Sequence, residues 1–422
     1  MSENRRTPWF EMLVLFLICA YFFNIKNMGH FAIYLLIPIF LFVFFRNGAK
    51  VKKSQTVLLM FSLIYTYLLS FYNQRGNSLL FITAVFPSIL YYFGGYLGRN
   101  DLDYRKTYRV IFAVVFVLTA FSYLSVVTSD LSHLQVWRGA TSIWGKELTA
   151  TGIGTYLSLG IALLPAAFLV ESKRVKLASL ILFLFSVYTM FKLGSRTGVL
   201  IIGVSIVISF LLIGRITLKK IFSIATTVVL LTVLLRIVDS TFLLNRFSTT
   251  SGLNDPRFEA WKAAFAGLFK YPLGGEMAPL PLKFAHNMWL DVGFEAGIVP
   301  FLLLTMFTLS VIKSLFIIRN TNLPQGLKVI YFCLFTAFFI TFSLEPIMEG
   351  WFYYFNVFCF FAGLMKQNII ADKRPLAPKE VSQFLKIGNT TDYRFRKSHK
   401  LLYISLTFLL IPTALVLFLT GG

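Results

Sequence analysis

The sequence predicts an all-α, polytopic membrane protein of about 12–13 transmembrane helices, with a large outer loop containing short helices. Three observations carry this. Of 422 residues, 57% are hydrophobic and 17% aromatic, with 47 phenylalanines, more apolar surface than a water-soluble fold can hide. Apolar runs of about 17–22 residues recur from Trp9 onward, each long enough to cross a bilayer core. The segments between alternate runs are basic. The runs do not alternate at every second residue, which excludes a membrane β-barrel.

In order, the expected spans cover residues 9–25, 29–45, 56–72, 79–98, 110–128, 152–171, 177–193, 197–214, 221–238, 288–312, 329–344, 350–365 and 401–420. No small-residue cleavage site follows the first run, so it reads as a retained span. The organisation is an N-terminal transmembrane bundle (1–238), an outer loop with an amphipathic helix (239–287) and a second group of transmembrane helices (288–365). A basic cytoplasmic segment (366–400) and a terminal helix (401–422) follow.

The formal charge is +22. In a soluble chain that would suggest a nucleic-acid partner. Here the cations interrupt membrane spans, so they report topology and imply a lipid bilayer, not nucleic acid. With Arg5 and Arg6 cytoplasmic, every inner segment is basic and the alternation never breaks. The stretch 366–400, including YRFRKSHK, is expected on anionic inner-leaflet lipid. The cysteines Cys19, Cys333 and Cys359 sit inside apolar runs without metal-ligand spacing and read as small core residues.

Two outer segments are long, 129–150 and 239–287, and long loops are usually functional or disordered. The second is rich in aromatics. Its NDPRFEAWKAAFAGLFKYP predicts a short helix: Asp255 as cap, Pro256 in the first turn, Tyr271-Pro272 as the stop. Phe258, Trp261, Phe265 and Leu268 fall on one face, suited to the membrane surface or the bundle.

Cations on the outer side are few, which makes them informative. Arg196 stands in KLGSRTGVL, where two spans are joined by almost nothing. An arginine in hydrocarbon costs on the order of 3 kcal/mol at the centre and less at the interface. It is either a snorkelling anchor or a fixed guanidinium aimed at a substrate phosphate. The neighbouring Ser195 and Thr197 can donate alongside it, and Gly194 and Gly198 allow close approach. Arg257 opens the amphipathic helix, where a cation opposes the helix dipole. It is either a solvated charge or a phosphate ligand. Arg246 and Arg236 are weaker candidates of the same kind.

FAHNMWLDVGFEAG (284–297) places one of only four histidines beside an amide at the threshold of a span. On a continuous helix His286, Leu290, Gly293 and Gly297 would form one stripe, leaving a groove beneath the histidine or a close helix contact. His286 is then a cap, a packed polar group or a titrating catalyst. Glu345 and Glu349, in SLEPIMEGW, either pair with one of the arginines or sit in water. No Walker sequence, HExxH or nucleophile elbow is present, and no metal site or cofactor is expected.

With these residues in hand, the chain resembles the O-antigen ligase and polymerase superfamily, bacterial membrane proteins that join lipid-linked surface glycans. The resemblance covers about residues 150–365. It rests on GSRTG (Arg196), DPRFEAW (Arg257, Trp261), the PLGG turn (Pro272–Gly275) and His286-Asn287 leading into LxxxFEAGIVPF. The ligase pattern runs His, an amide or Ser, nine residues, Gly, two residues, then Gly, Thr or Tyr. Gly297 fits, and Pro300 departs from the last position.

The resemblance implies a GT-C-like fold, residues 288–365 as the catalytic half, an active site on the outer face of the bacterial cytoplasmic membrane, and metal-independent, inverting glycosyl transfer without a cofactor. The donor would be an undecaprenyl-diphosphate-linked glycan, and the acceptor another lipid-linked glycan, lipid A-core or, in a related use, a protein. A chain-length regulator is a further candidate partner. His286, Arg196 and Arg257 would be catalytic. Asn287, Ser195, Thr197, Arg246 and Trp261 would bind substrate. Arg196 and Arg257 suit a developing lipid diphosphate, and His286 is either the proton acceptor for a sugar hydroxyl or a ligand of the diphosphate. Three activities follow: repeat-unit polymerase, ligase, or a transporter of the same lipid-linked glycan. A transporter usually shows internal repeats or broken charged helices at mid-membrane. Here the unusual polar residues gather at one face, which favours surface chemistry.

Overall fold

Long apolar runs fold as helices because a helix satisfies its own backbone hydrogen bonds, the condition for crossing lipid. The computed structural model describes residues 8–23, 28–48, 51–72, 77–98, 104–129, 139–141, 147–163, 173–213 and 256–372. Among them are fourteen helices. Six are long and apolar enough to cross a membrane, and three shorter ones are also apolar. The expected spans 221–238 and 401–420, most of the basic segment 366–400, and Asp255 lie outside the described residues.

The first five helices are α1 (Pro8–Phe23), α2 (Met28–Arg46), α3 (Lys53–Phe71), α4 (Asn77–Leu97) and α5 (Tyr104–Val127). Strands β1 (Gly139–Thr141) and β2 (Glu147–Thr149) pair antiparallel, with Ala140 opposite Leu148. Strands of three residues carry too little periodic pattern to be expected from the sequence of the 129–150 segment. Ser129 ties the hairpin to the end of α5, its Oγ accepting from Thr141 N at 2.8 Å.

Helices α6 (Ala150–Ala162), α7 (Lys173–Lys192) and α8 (Arg196–Ile213) follow. Thr149 caps α6 through Gly152 N. The helix ends at Ala162 with Leu163 as its C-cap; residues 164–171 of the expected span 152–171 lie outside the described residues. After α9 (Pro256–Lys270) come α10 (Met288–Ala296), α11 (Ile298–Arg319), α12 (Gln325–Leu344), α13 (Ile347–Gly350) and α14 (Phe352–Asp372).

The core is aromatic. Phe335, Phe338, Phe342 and Phe358 pack edge-to-face or tilted between α12 and α14, in the offset geometries that aromatic quadrupoles favour. Helices α4 and α14 cross at a pair of glycines. A Cβ on Gly94 would lie 1.9 Å from Phe360 O, and one on Gly363 would lie 1.9 Å from Tyr91 O. In lipid, such small residues let backbones meet and dispersion contacts form.

Helix α14 continues past the expected end at 365. Its polar residues there are satisfied within the bundle, Asn368 by Tyr331 at 2.7 Å and Gln367 by Lys52 at 2.7 Å. Helices α8 and α12 run antiparallel: Thr197 at the start of α8 meets Glu345 beyond the end of α12, while Gln325 at the start of α12 reaches Leu212 O. One end of the bundle therefore carries Lys52, Lys328 and Lys366, and the opposite end carries the residues described next.

Candidate functional site

The GSRTG joint is a helix stop followed at once by a helix start. Gly194 takes φ +61°; its N–H donates to Phe191 O, and Ser195 N donates to Met190 O, both at 3.1 Å. This is a Schellman closure of α7, and a left-handed residue there favours glycine. Arg196, half-buried, is then the first residue of α8. Ser195 lies over Gly154 of α6, where an added Cβ would stand 3.4 Å from its Oγ. Thr197 Oγ1 donates to Glu345 Oε1 at 2.7 Å.

Arg257 reaches the same carboxylate from a different segment. Its Nη2 lies 4.0 Å from Glu345 Oε2, with 24% of the arginine side chain and 9% of the glutamate side chain exposed. Of the two environments open to Glu345 on sequence, the structure therefore selects pairing with an arginine. Helix α9 forms as expected, and its predicted apolar face is the packed one. Trp261, Ala264 and Leu268 are buried against Ala285 and Leu290, with Phe258, Phe265 and Leu344 at the edge. That cluster brings the arginine helix beside the residue preceding His286 and the residue preceding Glu345.

His286 does not lie on a helix. The continuous span expected over 288–312 is broken at Gly297, so the stripe His286, Leu290, Gly293 and Gly297 does not exist as one helical face. His286 takes φ +56°, an uncommon backbone for a residue with a Cβ. Asn287 beside it is fully buried and caps α10, its Oδ1 accepting from Leu290 N at 3.3 Å. Asp291 holds the turn from within: Oδ1 accepts from Ala285 N at 2.7 Å and Oδ2 from Asn287 N at 3.0 Å. It is wholly buried, and α10, at nine residues or about 14 Å, is too short to cross a bilayer. Burial and then the nearby Glu295 carboxylate push the Asp291 carboxyl well above the usual carboxylate range, against the pull of these backbone donors. Tyr65 of α3 donates to Glu295.

The PLGG turn and the FEAGI sequence are one device. Gly275 N donates to Glu295 O at 2.8 Å and Glu276 N to Phe294 O at 3.0 Å, while Pro272 O accepts from Ile298 N at 2.9 Å. The turn thus satisfies the last carbonyls of α10 and the first amide of α11, groups that helix ends leave open. The fit requires glycine on both sides. Gly297 has φ +81°, and a Cβ there would meet Pro272 O at 2.1 Å; one on Gly274 would meet Gly297 N at 2.4 Å. Pro300, where the sequence departs from the ligase pattern, falls in the first turn of α11, where no N–H is required.

The structure thus joins Arg257, Thr197 and Trp261 around Glu345 and the α9 cluster, and sets His286 and Asn287 at the adjoining turn. Arg196 and Ser195 flank Thr197. Arg246 lies outside the described residues, as does Arg236. Two of the expected donors, Asn287 Nδ2 and Trp261 Nε1, are buried with no hydrogen-bond partner among the described residues. Glu345 and Asp291 were legible only as outer carboxylates; their roles come from contacts between distant segments. Among the described residues, no group of three or more His, Cys, Asp or Glu side chains is placed to hold a metal ion. No protein-family model and no curated protein matches the chain.

Proposed function

We propose that the chain is a bacterial cytoplasmic-membrane glycosyltransferase that joins undecaprenyl-diphosphate-linked oligosaccharide repeats into a surface polysaccharide, on a GT-C-like bundle with its site at the outer face. The observation that carries this is the meeting of Arg257 and Thr197, from separate segments, on one carboxylate. Donors suited to a phosphate oxyanion are thereby collected at the end of the bundle opposite its lysine-rich end. Arg196 opens α8 beside them.

In this reading the sugar C1–O bond to the lipid diphosphate breaks, and its electron pair leaves on the diphosphate. Arg257 and Arg196 neutralise that charge in a partly dehydrated setting, where fixed cations act strongly. An acceptor hydroxyl forms the new bond at the opposite face of C1, inverting it, and His286 takes its proton. The acceptor in the polymerase reading is a second lipid-linked repeat.

The test is purified protein with a lipid-linked repeat as sole substrate. A ladder of products supports a polymerase. Transfer only when lipid A-core is added identifies a ligase. Movement of unmodified substrate across vesicles, without product, identifies a transporter and refutes the enzyme reading. Arg196→Ala, Arg257→Ala and His286→Ala should each remove transfer by at least about a hundredfold, the scale of a lost general base or charge-stabilising donor, while the protein still folds.

A further inference from the structure

A site built for an anion needs something to hold when its ligand is absent, because a cation and a hydroxyl turned to one point are poorly accommodated among apolar helices. In this chain that point holds Glu345. Its Oε1 accepts from Thr197 at 2.7 Å, and its Oε2 lies 4.0 Å from the Arg257 guanidinium. Thr197 stands in the first turn of α8, where the helix dipole also favours negative charge. Hydroxyl, guanidinium and helix start come from two different segments, and Glu345 comes from a third, just beyond the end of α12.

We infer that the Glu345 carboxylate is an internal stand-in for a phosphate group, and that a prenyl diphosphate binds by displacing it from Thr197 and Arg257. The inference rests on the glycosyl-transfer reading for the identity of the incoming anion. The geometry supports displacement over a permanent brace. At 4.0 Å the arginine contact stands at the outer limit of an ion pair, longer than the about 2.7–2.9 Å of a charge-assisted hydrogen bond. Arginine also matches phosphate bidentately, through two parallel N–H···O bonds. Glu345 has left the helical backbone, with φ −133° and ψ 146°, and its amide donates back to Thr341 O at 2.9 Å, so the proposed displacement is a rotation of the side chain about a held backbone. A carboxylate left in place would repel the diphosphate, so exchange is the route by which both charges are accommodated.

The experiment measures farnesyl diphosphate binding to the full chain in phosphatidylcholine nanodiscs, for wild type and Glu345→Gln. Glutamine keeps an acceptor for Thr197 and removes the competing charge. The expected result is binding roughly three- to tenfold tighter in the variant, with the gain lost when Arg257→Ala is added. Equal or weaker binding by a folded Glu345→Gln protein, with wild type binding normally, overturns the inference and leaves the enzyme reading standing. Absence of binding in both folded proteins removes both. If Glu345→Gln melts early, Glu345→Asp, which draws the carboxylate back by one methylene, replaces it; tighter binding than wild type is again the expected result, and no gain overturns the inference.

Discussion

Replacing Asp291 by alanine removes the only side chain seen to tie both flanks of the His286 turn among the described residues. Two buried backbone donors, Ala285 N and Asn287 N, lose their acceptors. Each buried donor left open costs about 1–3 kcal/mol, so the turn should weaken by about 2–6 kcal/mol. The loss is reduced by relief from burying an ionisable group near Glu295. Asp291→Asn keeps one acceptor and should lose about half as much. The direct assay is hydrogen exchange at the Ala285 and Asn287 amides, where every 1.4 kcal/mol of local stability changes the opening equilibrium about tenfold. Exchange at least about ten times faster in Asp291→Ala, with α4 and α14 amides less affected, is expected. Unchanged protection at both amides would refute the clamp.

Other expectations follow from the same contacts. The folded-state carboxyl of Asp291 is held above its ordinary value of 3.8, so folding takes up protons relative to the unfolded chain. That contribution to stability is complete below the ordinary value and is lost as pH rises through the raised one. Thermal melting measured against pH should therefore decline over that interval, and Asp291→Asn should flatten the decline. Gly297→Ala forces a Cβ into the Pro272 carbonyl and strains a positive φ; a loss of about 2 kcal/mol or more in melting experiments is expected, and near-wild-type melting would contradict the clasp between α10 and α11. Gly363→Leu should separate α4 from α14 and lower stability by about 1–3 kcal/mol or more, the cost of overpacking, whereas the same change at Gly203, which has open space around it, should be nearly neutral.

Much of the helical frame was legible because bilayer-length apolar runs have few alternatives. Helix α9 was legible from NDPRFEAW and its one-sided aromatics. The break at Gly297 was not, since the apolar pattern continues through GIVPF and only the approach of Pro272 and Gly274 decides it. The extension of α14 was hidden for the opposite reason: Lys366, Gln367 and Asn368 look like the end of a span until Ser54, Lys52 and Tyr331 satisfy them. At the site, Arg196, Arg257 and His286 stood out as rare polar residues in an apolar chain. Their organisers did not. Asp291 and Glu345 are common residue types whose meaning lies in which distant backbone or side chain they touch, and a single sequence carries no record of that.

The chemistry proposed for this end of the bundle is the breaking of a sugar–diphosphate bond with Arg196, Arg257 and His286. It is tested most directly by measuring undecaprenyl diphosphate release and glycosidic bond formation together, on purified protein supplied with a lipid-linked repeat. One lipid diphosphate should be released for each new bond, with inversion at C1, and the His286→Ala protein should give neither product. Release without bond formation, or full turnover by His286→Ala, would contradict it.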